Sequence, residues 1–246
     1  MATADVLGLA QEYPAGGEPL HAHEQFGQVL YVVRGAVTVQ TPAGRFVLPP
    51  QRALWIPAEV PHGFSNARPV SLRTVYVRSN SENMPDWKDC KLLHIDALSR
   101  ELILALAFEP WNYVADSRGT RLAIVLLDNL APFHADSIHL RNPSDARATR
   151  AAAIARDDVG HRLTLREIAL KAGASERTLD RLFVAETNMG FGAWRRCLRL
   201  NDALERLADG EPIAAVAETA GYVNPSSFIA AFKSAFGTTP ARYFPG

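Results

Sequence analysis

The sequence predicts an α+β chain: a small antiparallel β-barrel with a helical appendage, then an all-α segment built from a tandem helix–turn–helix. Three observations carry this expectation. Short apolar runs punctuated by turn residues fill the chain up to about residue 80; the hydrophobic period turns helical from about residue 95; and a helix–glycine–helix pattern occurs twice beyond residue 160. With 246 residues and 48% apolar content, the chain can bury two ordinary cores. The expected divisions are residues 1–90 for the barrel, 91–142 for a helical dimerisation and linker region, and 143–246 for the repeated helices.

The elements follow in order. Gln28 to Gln40 mixes β-branched and aromatic residues and is broken by the turn signal Arg34-Gly35. Thr41-Pro42-Ala43-Gly44 is a second turn, Arg45 to Leu48 a short strand, and Leu54-Trp55-Ile56 another before Pro57. Ser71 to Arg78 alternates as a strand should. Ala97–Phe108 and Arg118–Leu130 are then expected as helices. The second carries Leu122, Ile124, Val125, Leu126, Leu127 and Leu130 around most of its circumference, so one contact face would not bury them all. It is packed between two layers or turns one side to a second subunit. His134 to Asn142 is expected as an irregular connection, with or without one strand in it, and Asn142-Pro143-Ser144-Asp145 as a helix start. Thr164 caps Leu165–Ala172 with Glu167 completing a capping box; Gly173 stops that helix and Ser175 caps the next. A longer helix runs to Ala208, a short one opens at Glu211-Pro212 and stops at Gly221, and a last one runs from Asn224-Pro225 to near Gly237.

Charge narrows the function classes. The 26 basic and 26 acidic residues cancel, and residues 151–246 carry 12 Lys/Arg against 11 Asp/Glu. A polycation coating nucleic acid or lipid is excluded, and any basic surface must come from placement. Cys90 and Cys197 show no CxxC spacing, which fits free thiols in a reducing compartment. No signal peptide and no membrane-length apolar run is read, so the expected location is the cytoplasm, with no membrane partner.

The repeat is the most informative feature. Leu165 to Ser175 and Ile213 to Asn224 both hold an Ile/Val-Ala pair (Ile168-Ala169, Val216-Ala217), then a glycine four residues beyond the alanine, then a cap residue and an apolar-spaced helix. The small alanine permits close crossing, and glycine takes the left-handed conformation of the tight turn. The second helix of each unit can then enter a DNA major groove.

The run Val216-Ala217, Gly221-Tyr222, Ser227-Phe228, Phe232-Lys233, Phe236-Gly237, Pro240 and Tyr243 resembles the AraC/XylS family of transcription regulators, over roughly residues 150–244. The resemblance implies two helix-turn-helix units joined by a rigid helix, here Gly192–Ala208, entering successive major grooves of double-stranded DNA. Carried over, Ser175, Arg177, Thr178, Asp180 and Arg181 lie on the first reading helix, and Asn224, Ser226, Ser227 and Lys233 on the second. Arginine pairs bidentately with guanine, and hydroxyls reach phosphate or base. Arg195 and Arg199, a turn apart on the linking helix, are candidate phosphate contacts. Ala230 stands where many relatives carry a long polar side chain, so the second unit is expected to hold backbone more than it reads bases. The alternative for Arg177 and Arg181 is a solvated face with Glu176 and Asp180, and for Lys233 an intramolecular salt bridge in place of a phosphate contact.

In the first part, His21-Ala22-His23 places two imidazoles on one face of a strand, and His62 follows on a later one. The pieces resemble the two cupin motifs, which would make His21, His23, Gln28 and His62 the ligands of a divalent transition metal (Zn, Ni, Mn or Fe). Gln28 replaces the usual acidic ligand and Glu59 replaces a motif glycine. The alternative is that the histidines hydrogen-bond inside a barrel holding an organic effector. Tyr31, Trp55, Phe64 and Arg73 are candidates to line such a pocket, the alternative being that they are core and rim. The reading is therefore a regulator, not an enzyme, answering to a small molecule or metal. A homodimer is expected, and RNA polymerase is a further candidate partner. A cupin enzyme with a helical extension and a DNA-binding adaptor without effector are the competing classes.

Overall fold

The computed structural model describes residues 4–50, 52–81, 87–114, 116–132, 139–158 and 162–244. It divides into two compact units, Met1–Pro42 with Leu48–His134, and Ala43–Val47 with Ala135–Gly246.

The first unit contains β1 (Val6–Tyr13), β2 (Gly16–His21), β3 (Phe26–Arg34) and β4 (Val37–Thr41). β5 (Gly44–Leu48) is grouped, but for its last residue, with the second unit. The first unit resumes with β6 (Arg52–Ile56), β7 (His62–Asn66), β8 (Val70–Arg78), β9 (Lys91–His94), α1 (Ala97–Leu106), α2 (Arg118–Asn129) and β10 (Ala131–Pro132). One sheet runs β1-β8-β3-β6-β9-β10, and a second holds β4-β7-β2. All the pairings are antiparallel.

Alternation decides which way each residue of the larger sheet points. Val29 and Tyr31, Ala53 and Trp55, and Val75 and Val77 pack in one cluster with Leu102, Ile103 and Leu106 of α1 and Ala123 and Leu126 of α2. Their neighbours Gln28, Leu30, Leu54, Ile56, Leu72 and Thr74 are buried as well, so both faces of the sheet are covered. Burying a side chain the size of Tyr31 or Leu106 contributes about 1.5–3 kcal/mol, which is why the helices dock here. Asp96 and Ser117 cap α1 and α2 through their side chains. Along α2, Ala123 and Leu126 face the core while Ile124 and Val125 stay exposed, so the one contact face does not bury them all.

Strand β1 was not expected from the sequence. It pairs along its whole length with β8, from Val6 opposite Val77 to Tyr13 opposite Val70. Gly8 interrupts its apolar pattern for a packing reason: a Cβ there would lie 2.1 Å from the Leu106 carbonyl oxygen at the end of α1.

The second unit contains β11 (His139–Arg141), α3 (Ala146–Asp157), α4 (Leu165–Lys171), α5 (Glu176–Thr187), α6 (Phe191–Ala208), α7 (Ile213–Thr219), α8 (Pro225–Phe236) and α9 (Pro240–Tyr243). β5 pairs antiparallel with β11. The capping box at Thr164 and Glu167 is present, and Ser175 and Asn224 cap α5 and α8. Gly173 and Gly221 adopt φ of +75° and +72° at the two tight turns, the conformation the repeat demanded.

The core joins Leu140, Ala148, Ala151, Ile168, Leu179, Phe183, Trp194 and Leu198. The expected break between 142 and 143 therefore falls inside this unit. Leu140 is fully buried, and the Trp194 indole donates to the Arg141 carbonyl at 2.9 Å. Part of the connection expected over His134–Asn142 lies outside the described residues; its end is strand β11.

Candidate functional site: a histidine triad and a paired reading surface

In the first unit the three sequence-predicted histidines come together. Their candidate ligand atoms lie within 4.8 Å of one another, and the ring centroids of His21 and His62 are 4.5 Å apart. The route differs from the one expected. β2 ends at His21, so His23 does not share a strand face with it; beyond the strand, the His23 carbonyl accepts from the Glu59 N–H at 2.9 Å. Glu59, where a glycine was expected, takes φ of 65°. The turn thus keeps the left-handed conformation while carrying a side chain.

Two of the imidazoles are oriented by backbone carbonyls. His21 Nδ1 contacts the Pro19 carbonyl at 2.9 Å and His62 Nδ1 the Val60 carbonyl at 2.8 Å. Both rings must donate there, so Nε2 is the nitrogen that can act as an acceptor or ligand atom when the ring is neutral. Gln28 Nε2 approaches His62 Nε2 at 2.5 Å as its donor. His23 Nε2 is buried and meets no hydrogen-bond partner among the described residues. Burial, and the neighbouring His21, lower the pKa of His23; burial chiefly lowers that of His62. Both are therefore neutral near pH 7, as metal ligation requires. Three imidazoles brought together, two oriented through Nδ1 donation and the third with an orphaned Nε2, fit a divalent transition metal. Rotation of the Gln28 amide would offer its oxygen as a further donor.

Only one of the four expected pocket residues lies on the side of these histidines. Phe64 shares the buried face of β7 with His62 and meets Tyr13 edge-on at 5.0 Å. Tyr31 and Trp55 point the other way, into the cluster under α1 and α2. Arg73 sits across from Tyr31 and bonds Glu12, Ser71 and the Leu72 carbonyl. The core-and-rim alternative fits these three; the sequence left the choice open because a one-residue step along a strand exchanges the two faces, and the register is not visible without the partner strand. In their place the structure brings Tyr76 against His23, with ring centroids 5.1 Å apart. The Tyr13 hydroxyl lies 2.8 Å from Glu18 Oε1 and 2.6 Å from Gln11 Oε1.

In the second unit, Arg177 and Arg181 are exposed one helical turn apart on α5, and Ser226 and Lys233 are exposed on α8. The Ser175 hydroxyl accepts the Thr178 N–H at 3.2 Å, and Asn224 Oδ1 accepts that of Ser227 at 2.9 Å, so these four residues build the caps. Asp180 accepts the N–H of Phe191, the first residue of α6, at 3.1 Å. Arg195 is turned inward, bonding Asp158 at 3.0 Å with both side chains almost covered. The candidate phosphate role of Arg195 is thus not matched by its placement: on this helix the exposed arginine is Arg196. Arg199 Nε donates to the Ala220 carbonyl at 2.5 Å, and its guanidinium lies 4.4 Å from the Tyr222 ring centroid. The periodicity named one helix face, but α6 packs its middle on two sides, and a single-face wheel cannot separate Arg195 from Arg196.

Comparison with known proteins agrees with this division. Residues 3–83 match the model of an AraC-like ligand-binding domain, and residues 146–245 that of a helix-turn-helix domain. The HTH-type transcriptional regulator NimR of Escherichia coli is 34% identical over 226 residues, covering 92% of this chain and 81% of NimR. The HTH-type transcriptional regulator RipA of Corynebacterium glutamicum is 27% identical over 60% of this chain and half of its own length. The multiple antibiotic resistance protein MarA of Salmonella typhimurium is 27% identical over 88 residues, 35% of this chain and 69% of MarA.

Proposed function

The chain belongs to the AraC-type family of helix-turn-helix transcription regulators, and from that premise we propose that occupancy of the histidine triad in its ligand-binding unit sets how tightly the second unit holds DNA. That it is a regulator with a ligand-binding and a DNA-binding part follows from the family. The same membership sets aside the cupin-enzyme alternative, since the curated relatives are transcription regulators.

The proposed occupant is a divalent transition metal on His21, His23 and His62, with Gln28 as a fourth donor. The observation that carries this is the buried His23 Nε2, without a partner among the described residues, beside two imidazoles whose Nδ1 atoms are already committed. A buried polar nitrogen without a partner costs about 1–3 kcal/mol unless something fills it. Tyr13, Glu18, Phe64 and Tyr76 flank the triad and would shape any organic ligand bound alongside. In the DNA complex, Arg177 and Arg181 read bases from α5, Ser226 and Lys233 contact the second site from α8, and Arg196 reaches phosphate. A homodimer is supported by the exposed Leu98, Ile124 and Val125 on α1 and α2. The cytoplasm is the working location, and RNA polymerase a further partner at a promoter.

Elemental analysis of untagged protein beside His23→Ala tests the metal. Near one equivalent in the first and little in the second is expected. No metal in either, after offering zinc, nickel, manganese and iron, overturns it in favour of an organic effector.

A further inference from the structure

The two helix-turn-helix units repeat not only in their glycines but in a side chain that each borrows from the helix before it. In the first, Gly173 N–H bonds the Leu170 carbonyl and Ala174 N–H the Ala169 carbonyl; in the second, Gly221 bonds Glu218 and Tyr222 bonds Ala217. The carbonyl immediately before each glycine, on Ala172 and on Ala220, receives an arginine. Arg150 of α3 donates to Ala172 from Nε at 3.3 Å and Nη2 at 3.1 Å. Arg199 of α6 donates to Ala220 from Nε at 2.5 Å. The separations along the chain, 22 and 21 residues, are almost the same.

These carbonyls end helices α4 and α7, where the backbone has no further amide to satisfy them and the helix dipole is negative. A guanidinium there meets both needs. The same turn sets the direction in which the reading helix departs: α5 begins three residues after Gly173 and α8 four after Gly221. Tyr222 lies in the second turn itself, and its ring stacks under the Arg199 guanidinium at 4.4 Å.

We propose that Arg150 and Arg199 are matched positioning residues, one per unit, that fix the angle of each reading helix and so act on DNA discrimination without touching DNA. The inference rests on the DNA-binding role of the second unit. It reassigns Arg199, which the sequence pattern offered as a phosphate contact, and adds Arg150, which nothing in the helix–glycine–helix pattern singled out.

Salt dependence separates the two roles. A phosphate contact contributes about 0.9 to the slope of log K against log salt, whereas a residue that only orients a helix leaves the slope unchanged. The probe is a duplex recovered by the full chain from a random-sequence pool, compared with scrambled duplexes of the same length. R150M and R199M are each expected to bind the selected duplex about tenfold more weakly, with wild-type affinity for scrambled duplexes and an unchanged slope. R196M, removing an exposed arginine of α6, is expected to lower the slope on both kinds of duplex.

R150K and R199K keep the charge but lose the Nε donor, and should discriminate no better than the methionine variants. Wild-type discrimination in the lysine variants, a slope lowered by about 0.9 in R150M or R199M, or unaltered discrimination in both methionine variants overturns the proposal. Helical circular dichroism establishes that each variant is folded. Should R199M fail that check, R150M and the lysine pair still decide. A chain that selected no duplex from the pool would instead count against the DNA-binding role on which the inference rests.

Discussion

Glu59 shows how a single residue can hold a site together against its own preference. Its φ of 65° places a branched-free but Cβ-bearing residue in the left-handed region, and its N–H is what ties the turn to the His23 carbonyl. Left-handed backbone costs a non-glycine residue about 1–2 kcal/mol, part of which glycine's greater freedom in the unfolded chain would cancel. Glu59→Gly is therefore expected to stabilise the chain by about 0.5–1 kcal/mol, read from urea unfolding; a loss of stability would show that the carboxylate contributes something the strain argument omits. The histidines themselves carry a pH dependence. Burial first, then neighbouring imidazoles, hold His23 and His62 below their ordinary value of 6.5. The folded state thus binds fewer protons than the unfolded one as pH falls through this range. Their contribution is intact above pH 6.5 and is lost as pH drops from there through the lowered folded values. Metal-free protein should unfold at lower urea at pH 5.5 than at pH 7.5, and the difference should shrink in a His23→Ala, His62→Ala double variant. At this scale the spacing of the histidines and the resemblance to the cupin motifs pointed to the three imidazoles and Gln28, which the structure brings together. For Tyr31, Trp55 and Arg73 the sequence left pocket against core and rim open, because which face of a strand a residue occupies depends on a register that composition does not encode.

The helices were more legible than the strands, for a physical reason. Helix ends are written locally: Thr164 with Glu167, Ser175, and Asn224 with Pro225 all cap the helices that their residue types announce. The strand β1 depends on its pairing with β8 and on a glycine chosen for the approach of α1, neither of which is local. The same locality makes the caps testable. In α4, the Thr164 hydroxyl receives the Glu167 N–H at 3.2 Å while the Glu167 carboxylate receives the Thr164 N–H at 2.7 Å. Thr164→Ala should cost about 1 kcal/mol by thermal or urea unfolding, while Glu176→Ala, in the first turn of α5, should cost no more than about 0.5 kcal/mol. Equal losses would mean that the capping box contributes nothing special. The inward turn of Arg195 belongs to this scale too: α6 is packed on several sides, so adjacent arginines on it serve different purposes, one in the ion pair with Asp158 and one facing solvent.

For the whole molecule, the family assignment and the two compact units divide the labour between a ligand-binding part and a DNA-binding part. The division is not a clean cut in the chain. Ala43–Val47 belongs with the second unit, where β5 pairs with β11 and Arg45 bonds Glu205 at 2.5 Å and Asp202 at 3.4 Å. A contiguous truncation from residue 143 would remove both strands and the buried Leu140, so experiments on coupling belong with the full chain. Coupling requires that an occupant bind two states of the protein with different affinity, and by linkage DNA must then alter the affinity for the occupant equally. The most direct test measures the dissociation constant for a duplex selected from a random pool, with metal-stripped protein and again with one equivalent of each candidate metal, for the native chain and for His23→Ala. At least a fivefold change on metal addition in the native chain, absent in the variant, is the expected result, corresponding to about 1 kcal/mol of coupling. Identical affinities with and without every metal, in a chain that demonstrably binds one at the triad, would contradict the account.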